Sequence, residues 1–192
     1  SCFIVPPRRL LIGTDADGIQ GRIFAHYIND KDFIKALVEG KSELGTDIHS
    51  RHHQYLQPYS PARSNAKTFY YAWLLGAGAT KVANIFGCTV GEAKRAIKIF
   101  LDIYPGLRIL KESVIPTDAM NGYFIGFDGR IVPCPSEYYM LAGYLQNGES
   151  VIMKHAAVEW RNKLKAEGIW FKQVNDVHDE WCTEIEEDEE LA

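Results

Sequence analysis

No apolar run in this sequence is long enough to span a membrane and no signal peptide is visible, so the expectation is a cytoplasmic protein. Its four cysteines (Cys2, Cys88, Cys134 and Cys182) lack any C-x-x-C spacing. That spacing excludes a zinc ribbon or disulfide framework and points to buried, reduced thiols. Internal repeats and low-complexity segments are missing too, which leaves no room for a solenoid or a disordered linker. Nor is there an excess of positive charge. A net charge of −4 looks wrong for a nucleic-acid binder. However, Glu184, Glu186, Glu187, Asp188, Glu189 and Glu190 crowd the last residues, and without those six the −4 becomes +2. Such a run also suits the acidic first turn of a helix, so the charge decides nothing. What remains is an ordinary globular composition, 46% hydrophobic and 24% charged over 192 residues, ample for a core. The sequence starts at Ser1 and stops in the acidic run, and both ends read as cuts in a longer chain.

The stretch Gln173-Val174-Asn175-Asp176-Val177-His178-Asp179-Glu180-Trp181 lies between two runs rich in aromatic and β-branched residues. It predicts a β-hairpin with its charges at the turn. Adjacent carboxylates Asp179 and Glu180 repel unless a cation or proton lies between them, and hard divalent cations prefer carboxylate oxygens. Alone, the stretch fits a solvated hairpin tip better. Far upstream, Arg9 to Thr14 is an apolar run that ends in Asp15-Ala16-Asp17-Gly18. It predicts a buried strand delivering Asp15 to its end, with Gly18 permitting the turn. Asp15 beside Asp179 makes the carboxylate pair that two-metal phosphoryl transfer requires.

Between these strands the sequence is mostly helical. Helices are expected at Ile19 to Tyr27, at Lys31 to Val38, and at Asp47 to Tyr55 behind a Thr46 cap. Ser60 caps the next, with Pro61 first, running to about Leu75 and stopped by Gly76-Ala77-Gly78. Lys81 to Phe86, Gly91 to Tyr104 behind Thr89, and a segment bracketed by Pro105 and Pro116 follow. Tyr123 to Val132 reads as a hairpin with an Asp-Gly turn. A long helix from about Ser136 to Glu167 carries Leu141, Tyr144, Leu145, Gly148, Val151 and Ile152 on one face. That order gives an α+β fold, a small antiparallel sheet backed by helices with a mostly helical insertion.

In the helix after Pro61, Arg63, Lys67, Tyr71 and Leu75 recur every four residues and form one drifting stripe. Two cations and an aromatic on one face suit a triphosphate and its sugar or base. A surface helix with its cations in water explains the same spacing. Phe69, Tyr70, Trp73 and Leu74 face the other way for packing. His49 could add a phosphate donor or be merely exposed, and His52 and His53 read as solvated.

Three segments then match a family. Thr14 to Arg22, Arg63 to Gly76, and Val177-His178-Asp179-Glu180 resemble motifs A, B and C of the family A DNA polymerases, especially their bacteriophage replicative branch. Asp47-Ile48-His49 and Leu145-Gln146-Asn147 fall where that family has matching pieces. The resemblance implies a polymerase palm at residues 1–28 and 140–192 with fingers at 29–139, acting in DNA replication. It implies that Asp15, Asp179 and the Ala16 carbonyl hold two Mg²⁺ ions. His49, Arg63 and Lys67 would bind the triphosphate, and Lys67 would protonate pyrophosphate. Tyr71 would pack on the nucleotide, Gln20 would block a ribose 2′-hydroxyl, and His178 and Glu180 would support the metals. Gln146 would read the primer minor groove. The implied partners are primer-template DNA and deoxyribonucleoside triphosphates, with any processivity factor left open, and phage origin would place the protein in host cytoplasm. Three positions depart from the family: Gln20 replaces a Glu, Asp17 often a Ser, and Leu75 a Tyr. A single-subunit RNA polymerase palm and a catalytically silent nucleic-acid-binding palm are the rival readings. Glu180 and Gln20 favour DNA over RNA synthesis.

Overall fold

The computed structural model describes residues 4–134 and 136–187. Cys2 and the run Asp188–Glu190 lie outside them. In chain order the elements are β1 (Arg9–Asp15), α1 (Ile19–Ile28), α2 (Lys31–Val38), α3 (Ile48–Tyr55) and α4 (Arg63–Leu74). They continue as α5 (Ala79–Phe86), α6 (Val90–Ile103), α7 (Pro105–Ile109) and α8 (Ile115–Asn121). The chain ends in β2 (Tyr123–Ile125), β3 (Ile131–Pro133), α9 (Glu137–Ala166), β4 (Phe171–Val177) and β5 (Glu180–Glu186). This is the expected α+β order.

Two compact units emerge, one of Ser1–Ile19 with Asn147–Ala192 and one of Gln20–Gln146. The first holds an antiparallel sheet of order β1-β5-β4. Alternation along β5 turns Trp181 and Thr183 inward, as a period of two requires. Trp160 of α9 donates its indole N–H to Thr183 Oγ1 at 3.2 Å, so the buried hydroxyl is satisfied. Arg9 lies over the Trp170 ring, 3.6 Å from its centroid, and pairs with Glu184 and Glu186. The strand predicted to be buried, β1, is only partly so, and Leu10 is exposed. It is an edge strand, whose side chains lack a neighbour on one side.

The second unit is helical around a core of rings. Phe24, Phe33, Phe69, Tyr70, Phe100 and Phe124 are fully buried. Phe100 meets Phe69 and Trp73 edge-on at 5.2 and 5.1 Å between centroids, the geometry that aromatic quadrupoles favour. The β2–β3 pair closes on its Asp-Gly turn, with Gly129 at φ 78°.

Several local expectations shift. Asp47, not Thr46, caps α3, accepting from the His49 and Ser50 N–H groups; the Thr46 hydroxyl instead accepts from Lys41 N–H. Neither Ser60 nor Pro61 starts α4, which begins at Arg63 with no side-chain cap, while Ser60 donates to the Ala62 carbonyl. Pro116 does not end its helix: α7 runs through a π segment, Leu110–Val114, into α8, with Pro116 in the first turn of α8. Thr89 does cap α6, in a reciprocal pair with Glu92. On α9 Met153 is buried and Ile152 exposed, one position from the expected face. Of the described cysteines only Cys134 is buried, although all three are free thiols. No helix among the described residues is long and apolar enough to cross a membrane.

Candidate active site

In the first unit the backbone does the placing. β1 ends at Asp15, in register with Glu180 at the start of β5. The Ala16 N–H donates to the Asp179 carbonyl at 2.9 Å, tying the strand end to the hairpin turn. Gly18, at φ 61°, then turns the chain into α1, and the Ile19 N–H donates to the Ala16 carbonyl at 3.2 Å. The turn between β4 and β5 has two residues, His178 and Asp179. His178 takes φ 55°, a left-handed value that matches a tight turn to the twist of its strands. Asp15 and Glu180 are exposed and Asp179 is half-buried.

These donors are carboxylate and carbonyl oxygens, the set a hard divalent cation selects. Among the described residues no three His, Cys, Asp or Glu side chains gather into a ready cage. Two acids and one carbonyl are donors that could hold a hard cation such as Mg²⁺, which fills its remaining positions with water. One neighbour, Glu149, was not anticipated. Glu149 of α9 is 5% exposed and lies 4.0 Å from His178 Nδ1. Glu180 Oε1 lies where a Cβ on Gly13 would come within 3.1 Å, so the glycine leaves room for that carboxylate to lie against β1.

In the second unit side chains do the placing. On α4, Arg63 and Tyr71 are half-buried and Lys67 and Leu75 exposed, while Phe69, Tyr70, Trp73 and Leu74 are buried. The stripe and its packing face separate as the four-residue spacing predicts. Arg63 donates from Nη2 to Asp47 Oδ1 at 2.6 Å, and from Nε to Asp47 Oδ2 and Ser50 Oγ at 3.2 Å each. With this guanidinium and local donors around it, the Asp47 carboxyl falls well below the usual carboxylate range even though burial opposes the shift. Asp47 is 16 residues from Arg63, so only the shared α3 motif, and no spacing rule, hinted at it.

His49 is 8% exposed, and its ring centroid is 5.6 Å from that of Tyr71. Burial lowers its pKa to about 4, with Arg63 and Lys67 adding to the shift and Asp47 opposing it. His49 is therefore a neutral side chain at pH 7. His52, expected to be solvated, is completely buried, shares a 3.1 Å hydrogen bond with the Tyr104 hydroxyl, and is lowered to about 3 by the same desolvation. His53 is half-buried, 3.3 Å from Ser60 Oγ. Gln20 sits half-buried in the first turn of α1, and Gln146 is exposed on α9.

A cavity of about 460 Å³ opens where α4 ends, lined by Trp73, Gly76, Ala77, Gly78, Ile97, Lys111, Glu137 and Tyr138. Lys111 lies over the Trp73 ring at 5.5 Å, its pKa lowered by burial and partly restored by Glu137. These residues come from four separate stretches, which no local pattern connects.

Comparison with known proteins points one way. The description DNA polymerase family A matches residues 1–192. A DNA-directed DNA polymerase of Escherichia phage Phieco32 is 28% identical across 93% of this chain and 33% of its own length. That of Escherichia phage T7 is 28% identical across 88% and 26%. DNA polymerase I of Streptococcus pneumoniae is 25% identical across 94% and 22%. This chain thus spans about a third or less of these relatives. The fold resembles the POL domain of Pol1 from M. smegmatis, solved in complex with DNA primer-template and dNTP, with a TM-score of 0.82 and 24% identity over 98% of this chain and 36% of that one.

Proposed function

This chain belongs to DNA polymerase family A, and from that membership we propose that it supplies the palm and fingers of a template-directed DNA polymerase, residues 1–28 and 140–192 as palm and 29–139 as fingers. The reaction is addition of a deoxyribonucleotide to a primer 3′-hydroxyl with loss of pyrophosphate. The observation that carries the reading is the junction of β1 with the β4–β5 turn, where the backbone holds the Asp15 strand end against Asp179.

Asp15, Asp179 and the Ala16 carbonyl would hold two Mg²⁺ ions. Bound there, such ions supply an activated hydroxyl and neutralise charge developing on the transferred phosphoryl group. Lys67 and Arg63 bind the triphosphate, and the exposed Lys67 ammonium is free to give a proton to departing pyrophosphate. His49, neutral at working pH, adds a hydrogen bond but no charge. Tyr71 packs on the incoming nucleotide and Gln20 bars a 2′-hydroxyl. Gln146 donates into the minor groove of the primer terminus, where acceptors common to all base pairs permit checking without sequence preference. His178 and Glu180 would flank the metals in a supporting role.

The test is Asp179→Asn in the full-length protein carrying this chain. Incorporation should fall by about 10³-fold or more, because one ligand to each metal loses its charge. Primer-template binding should persist, since phosphate contacts elsewhere supply most of it. Normal turnover by the variant would sink the proposal. A silent palm, the rival reading, predicts no Mg²⁺ heat by calorimetry with either sequence.

A further inference from the structure

We propose that Asp47 is an internal counter-anion that holds Arg63 and lowers the affinity of the nucleotide site for polyphosphate. The inference rests on the phosphate-binding role given to Arg63 above. A guanidinium grips an oxyanion best through a fork of two parallel N–H groups. In Arg63 the Nε and Nη2 fork is already on Asp47.

Asp47 cannot yield its place. It is 8% exposed, its Oδ1 accepts from the His49 and Ser50 N–H groups, and its Oδ2 accepts from the Ser50 hydroxyl. Gly40 lets the chain pass against it, since a Cβ there would collide with the Asp47 Cα and the Ala36 carbonyl. The anion is built into the cap of α3, while Arg63 is a longer and more exposed side chain. A phosphate arriving at Arg63 must therefore either draw the guanidinium off Asp47 or share it beside a fixed negative charge. His49 does not compensate, being neutral. Of the three side chains Arg63, Asp47 and Lys67, Arg63 and Asp47 cancel, which leaves Lys67 as the uncancelled positive charge. Weaker attraction favours release of pyrophosphate after each addition, which a fully cationic site would retain.

The test uses calorimetric titration of the full-length protein with inorganic tripolyphosphate and, separately, pyrophosphate, at low salt. Asp47→Asn preserves the cap, because Asn serves that position as well as Asp, and Asp47→Ser is a second uncharged cap. Both variants should bind the two anions roughly three- to tenfold more tightly, the range expected for removing one buried but ion-paired charge near an anion. A purely structural role for Asp47 would weaken binding instead. In an Arg63→Gln background the gain should vanish. Unchanged or weaker binding by both Asp47 variants, with helical circular dichroism intact, overturns the inference, as does a gain that survives Arg63→Gln. If Arg63→Gln alone binds tripolyphosphate like wild type, the phosphate role of Arg63 fails and takes the inference with it. If Arg63→Gln weakens binding but the Asp47 variants do not tighten it, only the counter-anion is lost.

Discussion

The two units hold their candidate functional groups in opposite ways. Around Asp15 and Asp179 the positioning comes from the main chain, through strand register, one 2.9 Å cross-link and a left-handed turn residue. Around Arg63 and His49 it comes from side chains, with the His49 ring set at a tilt against Tyr70 and Tyr71 and Arg63 pinned by Asp47. The difference follows from the groups. An aspartate is short, so fixing its Cα nearly fixes its carboxylate. An arginine has about 2 kcal/mol of rotamer entropy to lose, so its head must be held separately. Changes to the ring core should therefore cost the second unit stability, whereas changes to the acids of the first should cost chemistry alone.

The largest expected effect tests the ring core. Phe100 is fully buried among Phe69, Trp73, Tyr104 and His52. Phe100→Ala should destabilise by about 3–5 kcal/mol through lost burial and a cavity. Asp15→Asn should change the urea midpoint by less than about 0.5 kcal/mol equivalent. Equal losses would erase the contrast.

Next comes pH. His52 has a folded pKa of about 3, against the 6.5 expected unfolded. The folded state refuses a proton that the unfolded chain takes up, so stability from this group is full above pH 6.5 and is lost as pH falls towards 3. The slope is about 1.4 kcal/mol per pH unit in that window, and His49 acts in the same sense down to about 4. Urea unfolding at pH 7 and pH 5 measures it. His52→Phe should flatten the slope, and a slope unchanged by that substitution would show that the acid lability lies elsewhere.

The pH lability was invisible in the sequence, where His52 and His53 looked alike and solvated. Burial of one and not the other depends on where Tyr104 and Phe100 arrive from α6, some 50 residues on. The Asp47–Arg63 pair hid for the same reason. Local signals read well: the apolar run ending in Asp15, the Thr89–Glu92 capping pair, the Asp-Gly hairpin and the four-residue stripe of α4 all depend on neighbours within a turn or two. Even there, adjacent capping residues Thr46 and Asp47 were indistinguishable by type. Pro116 reads as a helix end, and the π segment Leu110–Val114 that carries the helix through to it has no local signal in the sequence.

A smaller effect concerns Tyr71, half-buried against His49 on the side-chain-held stripe. A dideoxynucleotide lacks the 3′-hydroxyl that helps order its own triphosphate, and with Tyr71 on the incoming nucleotide, as proposed above, its hydroxyl would replace that donor. Such a bond to a charged oxygen contributes roughly 1.5–3 kcal/mol. Tyr71→Phe should slow dideoxynucleotide incorporation at least about tenfold more than normal incorporation. Equal slowing of both substrates would assign the hydroxyl another role.

The smallest effect falls on Gln20, where α1 leaves the main-chain-held strand end and enters the side-chain-held unit. Its position five residues after Asp15, past the Gly18 turn, puts it in the first turn of α1. A Gln keeps the length of the Glu usual in the family but not its charge, so under the proposed function Gln20 would exclude ribose by bulk. Removing the side chain beyond Cβ would make room for a 2′-hydroxyl. Discrimination by one small group in a pocket is worth about 1–3 kcal/mol, so Gln20→Ala should raise ribonucleotide use relative to deoxyribonucleotide use by roughly 5- to 150-fold. Gln20→Glu should leave that ratio nearly unchanged, because bulk and not charge does the blocking. Single-nucleotide incorporation kinetics decide between them: a ratio that moves with Gln20→Glu and not with Gln20→Ala would make the gate electrostatic.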